Sequence, residues 1–172
     1  MIIGLVILSG CSKKTVYINT NTQTEAKTDK ATVFMIAINT DKKAKNVITN
    51  GCNDSIVPVV TTTNEYDALD PVESVSAAFS ALQSMKEEEY KAKNLQNPVV
   101  KSSLKLTKVE KRDNNEVVVS IDGKLTLLDT CNALRQRGQI EQLLTNAAQG
   151  NAITIIFNGS ADEWGKSFTM KA

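Results

Sequence analysis

The order of apolar runs along this 172-residue chain predicts an α+β fold: a mixed β-sheet with two helices packed on one face, in the order β-β-α-β-β-α-β. Three observations carry that expectation. Short runs rich in β-branched residues recur along the sequence, two longer segments repeat apolar residues at helical spacing, and Asn- and Gly-containing turn signals separate them.

The elements follow in order. Thr32 to Asn39 and Ser55 to Thr62 read as strands, separated by a charged loop and the turn signal Asn50-Gly51. Pro58 has no N–H to give to a ladder, so the second strand should lie at an edge or be interrupted there. Asp70, Pro71 and Glu73 form a helix start, with Asp70 as the cap and Pro71 at the first helical position. Val72, Val75, Phe79, Leu82 and Met85 share one face, which predicts a helix from Pro71 to about Lys91. Leu104 to Lys111 and Glu116 to Ile121 form a hairpin around Asp113-Asn114-Asn115, where Asn tolerates positive φ. Lys124 to Leu128 should extend or bend its second strand. Asn132 to Gln149 reads as the second helix, with Leu134, Ile140, Leu143, Leu144 and Ala147 turned inward, and Gly138 either permits close packing or lies on the surface. Ala152 to Phe157 reads as a fully buried strand, and Lys166 to Lys171 as an optional final edge strand.

Ahead of these elements, Ile2, Ile3, Leu5, Val6, Ile7 and Leu8 make a greasy run that closes at Leu8-Ser9-Gly10-Cys11. A membrane-spanning helix needs about 20 apolar residues, and a secretory signal needs only a short core followed by small residues. The tetrapeptide resembles the bacterial lipobox, which implies cleavage before Cys11 and a lipid on its sulfur as the link to a membrane. Stable attachment takes more than one acyl chain, at about 0.8 kcal/mol per buried methylene. No Lys or Arg precedes the run, so either translation starts further upstream or the leading region is neutral; the competing reading is a buried first strand in a cytosolic protein. Residues 1–10 are thus expected to be a signal segment, 11–30 a disordered polar tether rich in Thr, Asn and Lys, and 31–172 a single domain.

With 20 Lys and Arg against 19 Asp and Glu, interleaved, the net charge is +1. No basic stripe marks a nucleic-acid partner. If Cys11 carries the lipid, Cys52 and Cys131 remain to pair as a disulfide in an oxidising compartment, the alternative being two unrelated buried thiols. The chain has no histidine, which removes Ser-His-Asp and Cys-His nucleophile systems and the commonest zinc ligand. No catalytic residue, metal or cofactor is therefore expected. Glu87, Glu88 and Glu89 are consecutive, so on a helix they point about 100° apart and do not flank one bond. Asp54 and Asp129 either meet beside the cysteines as a cation site or cap turns and the second helix. Arg135 and Arg137 serve a partner, an acidic neighbour or a solvated face. Trp164, in the polar stretch Asp162-Glu163-Trp164-Gly165, is either an exposed interface anchor or folds back on the core.

The stretch Gly51-Cys52-Asn53-Asp54-Ser55-Ile56-Val57-Pro58-Val59, the helix after it, the hairpin, Cys131-Asn132-Ala133-Leu134-Arg135 and the closing Ile153-Thr154-Ile155-Ile156-Phe157-Asn158-Gly159 together resemble the GerMN (sporulation and spore germination) domain, over about residues 32–160. The resemblance implies an exported, often lipid-anchored domain with a fold like the ring-building modules of bacterial envelope machines. It implies action through protein–protein contact and brings no catalytic residues. Spore formers typically carry two tandem copies, whereas here there is one with a cysteine pair, which is more similar to the small GerMN lipoproteins of bacteria that make no spores. The expected role is a membrane-anchored extracytoplasmic interaction domain with an envelope-protein partner. Its rivals are a small-molecule or glycan-binding lipoprotein, expected to show a deep, partly apolar pocket, and a hydrolase using carboxylates alone.

Overall fold

A computed structural model describes residues 26–38, 48–49 and 52–169. The signal segment, Cys11 and most of the expected tether lie outside the described residues. The fold is α+β, with its strands divided between two sheets. The first has the order β2-β3-β1-β4, built from β1 (Lys27–Ala37), β2 (Ile48–Thr49), β3 (Ser55–Asp67) and β4 (Leu95–Gln96), and its pairs are antiparallel. The second has the order β5-β6-β7, with β5 (Ser103–Arg112) antiparallel and β7 (Ala152–Phe157) parallel to β6 (Glu116–Lys124).

One continuous sheet was expected, and the break falls at Pro98. β4 pairs with β1 only through Leu95 and Gln96. Pro98 then opens a 3₁₀ turn, Pro98–Lys101, and has no N–H with which to continue the ladder. The chain turns there and begins the second sheet. A single apolar core still joins both. Val33, Met35 and Ile36 of β1, Val75, Phe79 and Leu82 of α1 (Pro71–Ser84), Val117, Val119 and Ile121 of β6, and Ile140, Leu143 and Leu144 of α3 (Thr130–Ala147) are all buried in it. β1 is buried on both faces from Val33 to Ala37, which is why its sequence is a continuous apolar run without alternation.

The first helix starts where its sequence predicts, while α3, expected from Asn132, begins at Thr130 with Asp129 taking the capping alternative. Asp70 accepts from the Val72 N–H at 2.8 Å, and Asp129 accepts from the Asn132 N–H at 2.7 Å. The first helix, expected to reach about Lys91, ends at Ser84. Met85 adopts an extended conformation and a second helix, α2 (Glu87–Lys91), begins. The break lets Met85 and Tyr90 both reach the core. It also places Glu87, Glu88 and Glu89 in a first turn, where the helix dipole favours acids.

In the hairpin, Leu104, Leu106 and Val109 point to the core side because the register shifts between Leu106 and Lys108. Asn115 takes φ 57° in the turn. β6 ends at Lys124, and residues 125–128 form no regular strand. Gly123, at φ +131°, lies so close to β5 that a Cβ there would sit 1.9 Å from the Ser103 carbonyl oxygen. The Asn158 side chain accepts from the Gly123 N–H at 2.9 Å and donates to its carbonyl at 3.1 Å.

Two further expectations are corrected at the C-terminal end. β7 is an edge strand in which only Phe157 is fully buried, because the chain leaves it for a helix rather than another strand. That helix, α4, spans Ala161–Lys166, and residues 167–169, the described part of the expected Lys166 to Lys171 strand beyond it, form a turn rather than a strand; residues 170–171 lie outside the described residues. Ser160 caps α4 by accepting from the Asp162 N–H, and Asp162, Glu163 and Lys166 sit at the ends the dipole favours.

Candidate functional site

Two links tie the start of β3 to the start of α3. Cys52 and Cys131 are disulfide-bonded, with Cα atoms 5.8 Å apart. One helical turn beyond Cys131, the Arg135 Nε donates to Asp54 Oδ2 at 2.7 Å. The Asp54 side chain is 0% exposed and that of Arg135 is 18% exposed. Asp54 therefore holds its charge out of water against a guanidinium that still reaches the surface.

Behind this clasp, α3 turns amides inward. Asn132, Gln136 and Gln139 are buried on its inner face. Gln136 donates to the Thr126 carbonyl and to Asn132 Oδ1, and accepts from Ser102. Asn132 Oδ1 also accepts from the Leu128 N–H. Gln139 donates to the Phe34 carbonyl at 2.6 Å and to Asn97 Oδ1 at 3.1 Å, while Asn97 donates to the Leu82 carbonyl. Gln139 Oε1 has no partner among the described residues. These bonds fix the irregular segments 125–129 and 94–98, which have few ladder bonds of their own, against α3.

The segments so held line a cleft of about 710 Å³. One wall is Leu128, Asp129, Asn132 and Arg135; the other runs from Met85, Glu87, Tyr90 and Lys91 through Asn94–Pro98 to Val100 and Lys101. Leu128 is 61% and Val100 48% exposed, so the cleft carries apolar surface open to solvent. Glu87 is paired with Lys91, whose pKa is raised by that contact. Burial pushes the Tyr90 hydroxyl up. Asp129 is engaged as the cap of α3. Lys101, the Arg135 Nη groups and the Asn132 Nδ2 make no hydrogen bond among the described residues, which leaves uncommitted donors in the cleft.

A second surface is the outer edge of β7. The Ala152 and Asn158 N–H groups bond to Asn115 and Ile121 carbonyls, toward β6. By alternation the backbone groups of Ile153 and Ile155 face away from β6, and no strand pairs with them among the described residues. The opposite edge, β5, carries Lys105, Lys108, Lys111 and Arg112, the usual protection against strand pairing. β7 carries no charge.

Comparison with family models, curated proteins and solved structures gives no match.

The residues singled out in sequence are therefore distributed as follows. Arg135 meets Asp54, and Arg137 pairs with Glu141. Asp54 and Asp129 serve separate roles, and no group of three His, Cys, Asp or Glu able to hold a metal occurs among the described residues. Trp164 is buried at 6% exposure. Its Nε1 donates to Glu141 and its ring meets Phe157 and Phe168 edge-on, with centroids 5.8 and 4.8 Å away. Leu134, expected inward, is exposed. Sequence reasoning passed over Asn97, Lys101, Asn132 and Gln136. The signal for two of them was present: Asn132, Gln136 and Gln139 recur at helical spacing on the side of α3 opposite Leu134.

Proposed function

We propose that this protein is a lipid-anchored, extracytoplasmic interaction domain of the GerMN type that supports a cell-envelope or cell-wall assembly. In this reading a lipid on Cys11 holds it at the membrane, and β7 is the edge on which it joins its partner. The observation that carries the reading is an edge with no paired strand among the described residues: an uncharged apolar strand with the backbone groups of Ile153 and Ile155 turned away from β6. Such an edge accepts an added strand through main-chain hydrogen bonds. The Cys52–Cys131 disulfide supports an exported location, since disulfides persist in oxidising compartments.

Photo-crosslinking in the native cell from position 155, followed by mass spectrometry, tests the partner. Envelope proteins should be captured from Ile155 and lost when Ile156→Lys places a charge beside the edge, with the thermal midpoint unchanged. Recovery of a metabolite and no envelope protein would overturn the reading. The anchor has its own test. The Cys11→Ser protein should leave the membrane fraction, and the mature protein should carry a mass consistent with acylated Cys11 at its N-terminus.

A small-molecule or glycan-binding lipoprotein is the second reading, and the cleft is the observation that favours it. Its volume of about 710 Å³ lies in the range of small-ligand sites, and its lining mixes apolar groups with a few polar ones.

A further inference from the structure

We propose that the cleft binds a carboxylate carried on an apolar, amide-bearing group, such as the C-terminal residue of a peptide. This lies on a different surface from β7 and is tested separately from it. The assignment rests on which groups of the cleft are already used. Its acids are engaged: Glu87 with Lys91, and Asp129 with the first turn of α3. Its cations are only partly so. Asp54 takes the Arg135 Nε–H, and this bond holds the guanidinium, whose Nη–H donors make no hydrogen bond among the described residues. Lys101 adds a second cation with no ion pair among the described residues.

A held guanidinium whose Nη donors are unpaired among the described residues matches the two oxygens of a carboxylate, and charge-assisted bonds of this kind are about twice as strong as neutral ones. Asn132, nine-tenths buried, supplies an Nδ2 donor with no partner among the described residues; its carbonyl is spent on the Leu128 and Gln136 N–H groups. A lone amide donor suits a carbonyl next to the carboxylate. Leu128 and Val100 provide the apolar contact, since both are large hydrophobic residues exposed at the cleft.

Calorimetric titration of the full chain, disulfide intact, with three probes tests this. N-acetyl-alanyl-leucine should bind, and its C-terminal amide should bind at least tenfold more weakly. Hexanoate separates the sources: weaker binding than the peptide acid assigns the site to a peptide terminus, and equal binding assigns it to a free amphiphilic acid, with the carboxylate chemistry upheld in both cases. Lys101→Ala, on an exposed turn, should weaken the peptide acid about fivefold with an unchanged thermal midpoint, and Leu128→Asp should abolish binding. Equal affinity for acid and amide, no effect of Lys101→Ala, or no binding of any probe overturns the proposal.

Discussion

Arg135 Nε lies 2.7 Å from Asp54 Oδ2, and one turn earlier in the same helix Cys131 is bonded to Cys52, two residues before Asp54. A covalent and an ionic link thus join the same two segments side by side. The ionic one places a fully buried carboxylate against a guanidinium at the surface, so its loss differs sharply between removing one partner and removing both. Arg135→Leu removes the guanidinium from the buried Asp54 carboxylate and should cost about 3 kcal/mol, near the lower end for a broken buried pair. The double variant Asp54→Asn, Arg135→Leu should recover part of that loss. Urea unfolding of the three variants measures the coupling.

The disulfide closes a loop between residues 79 apart in sequence. The chain-entropy relation for that loop gives about 4.5 kcal/mol at 25 °C. Cys52→Ser, Cys131→Ser protein should lose stability on that order, and reductant should shift the original protein's thermal midpoint without shifting the variant's. An unchanged midpoint for the original protein in reductant would show that the link carries no stability.

Gly123→Ala should be among the most damaging single-methyl changes in the chain. Its Cβ would meet the Ser103 carbonyl oxygen at 1.9 Å, and φ is +131°. The strand pair must separate there, and the Asn158 bonds to both Gly123 backbone groups go with it. A loss of about 3 kcal/mol follows from strain plus the lost bonds. Gly159→Ala, where open space surrounds the position, should cost less, since it adds only positive-φ strain. Denaturant midpoints of the two variants decide it.

Glu116 links the outer face of the second sheet. It accepts from Thr154, which is the main cause of its lowered pKa, and from Asn114, with Arg112 beside it. A depressed carboxylate pKa contributes stability that is fully present above the ordinary value of 4.5 and is lost as the pH falls through the lower folded-state value. Glu116→Gln should therefore flatten the acid limb of the stability profile. The drop in thermal midpoint between neutral pH and about pH 3 should be smaller in the variant than in the original protein.

Trp164 is the chain's one tryptophan, and its burial between Phe157 and Phe168 makes it a reporter of the docking of α4. Its emission should be blue-shifted in the folded protein and move red on unfolding. Phe168→Ala should shift the folded emission red while leaving the β-sheet circular dichroism in place.

The sequence by itself determined the local elements. Helix starts at Asp70 and Asp129, the Asn115 turn and the continuous apolar run of β1 were legible because capping, positive φ and burial on both faces each leave a mark within a few residues. The α+β class followed from their order. Tertiary structure alone decided the partition of strands into two sheets, the edge position of β7 and the break at Met85. Each depends on what a strand or side chain meets far along the chain: β7 is apolar whether a neighbour covers its edge or not, and Met85 leaves the helix to reach a core built from both sheets. The cleft was the least legible feature. In sequence Arg135 was open to a partner, an acidic neighbour or a solvated face, because the Asp54 that engages it lies 81 residues away. Asn132, Gln136 and Gln139 share helical spacing in the sequence, but only the folded helix shows that this polar face is the buried one.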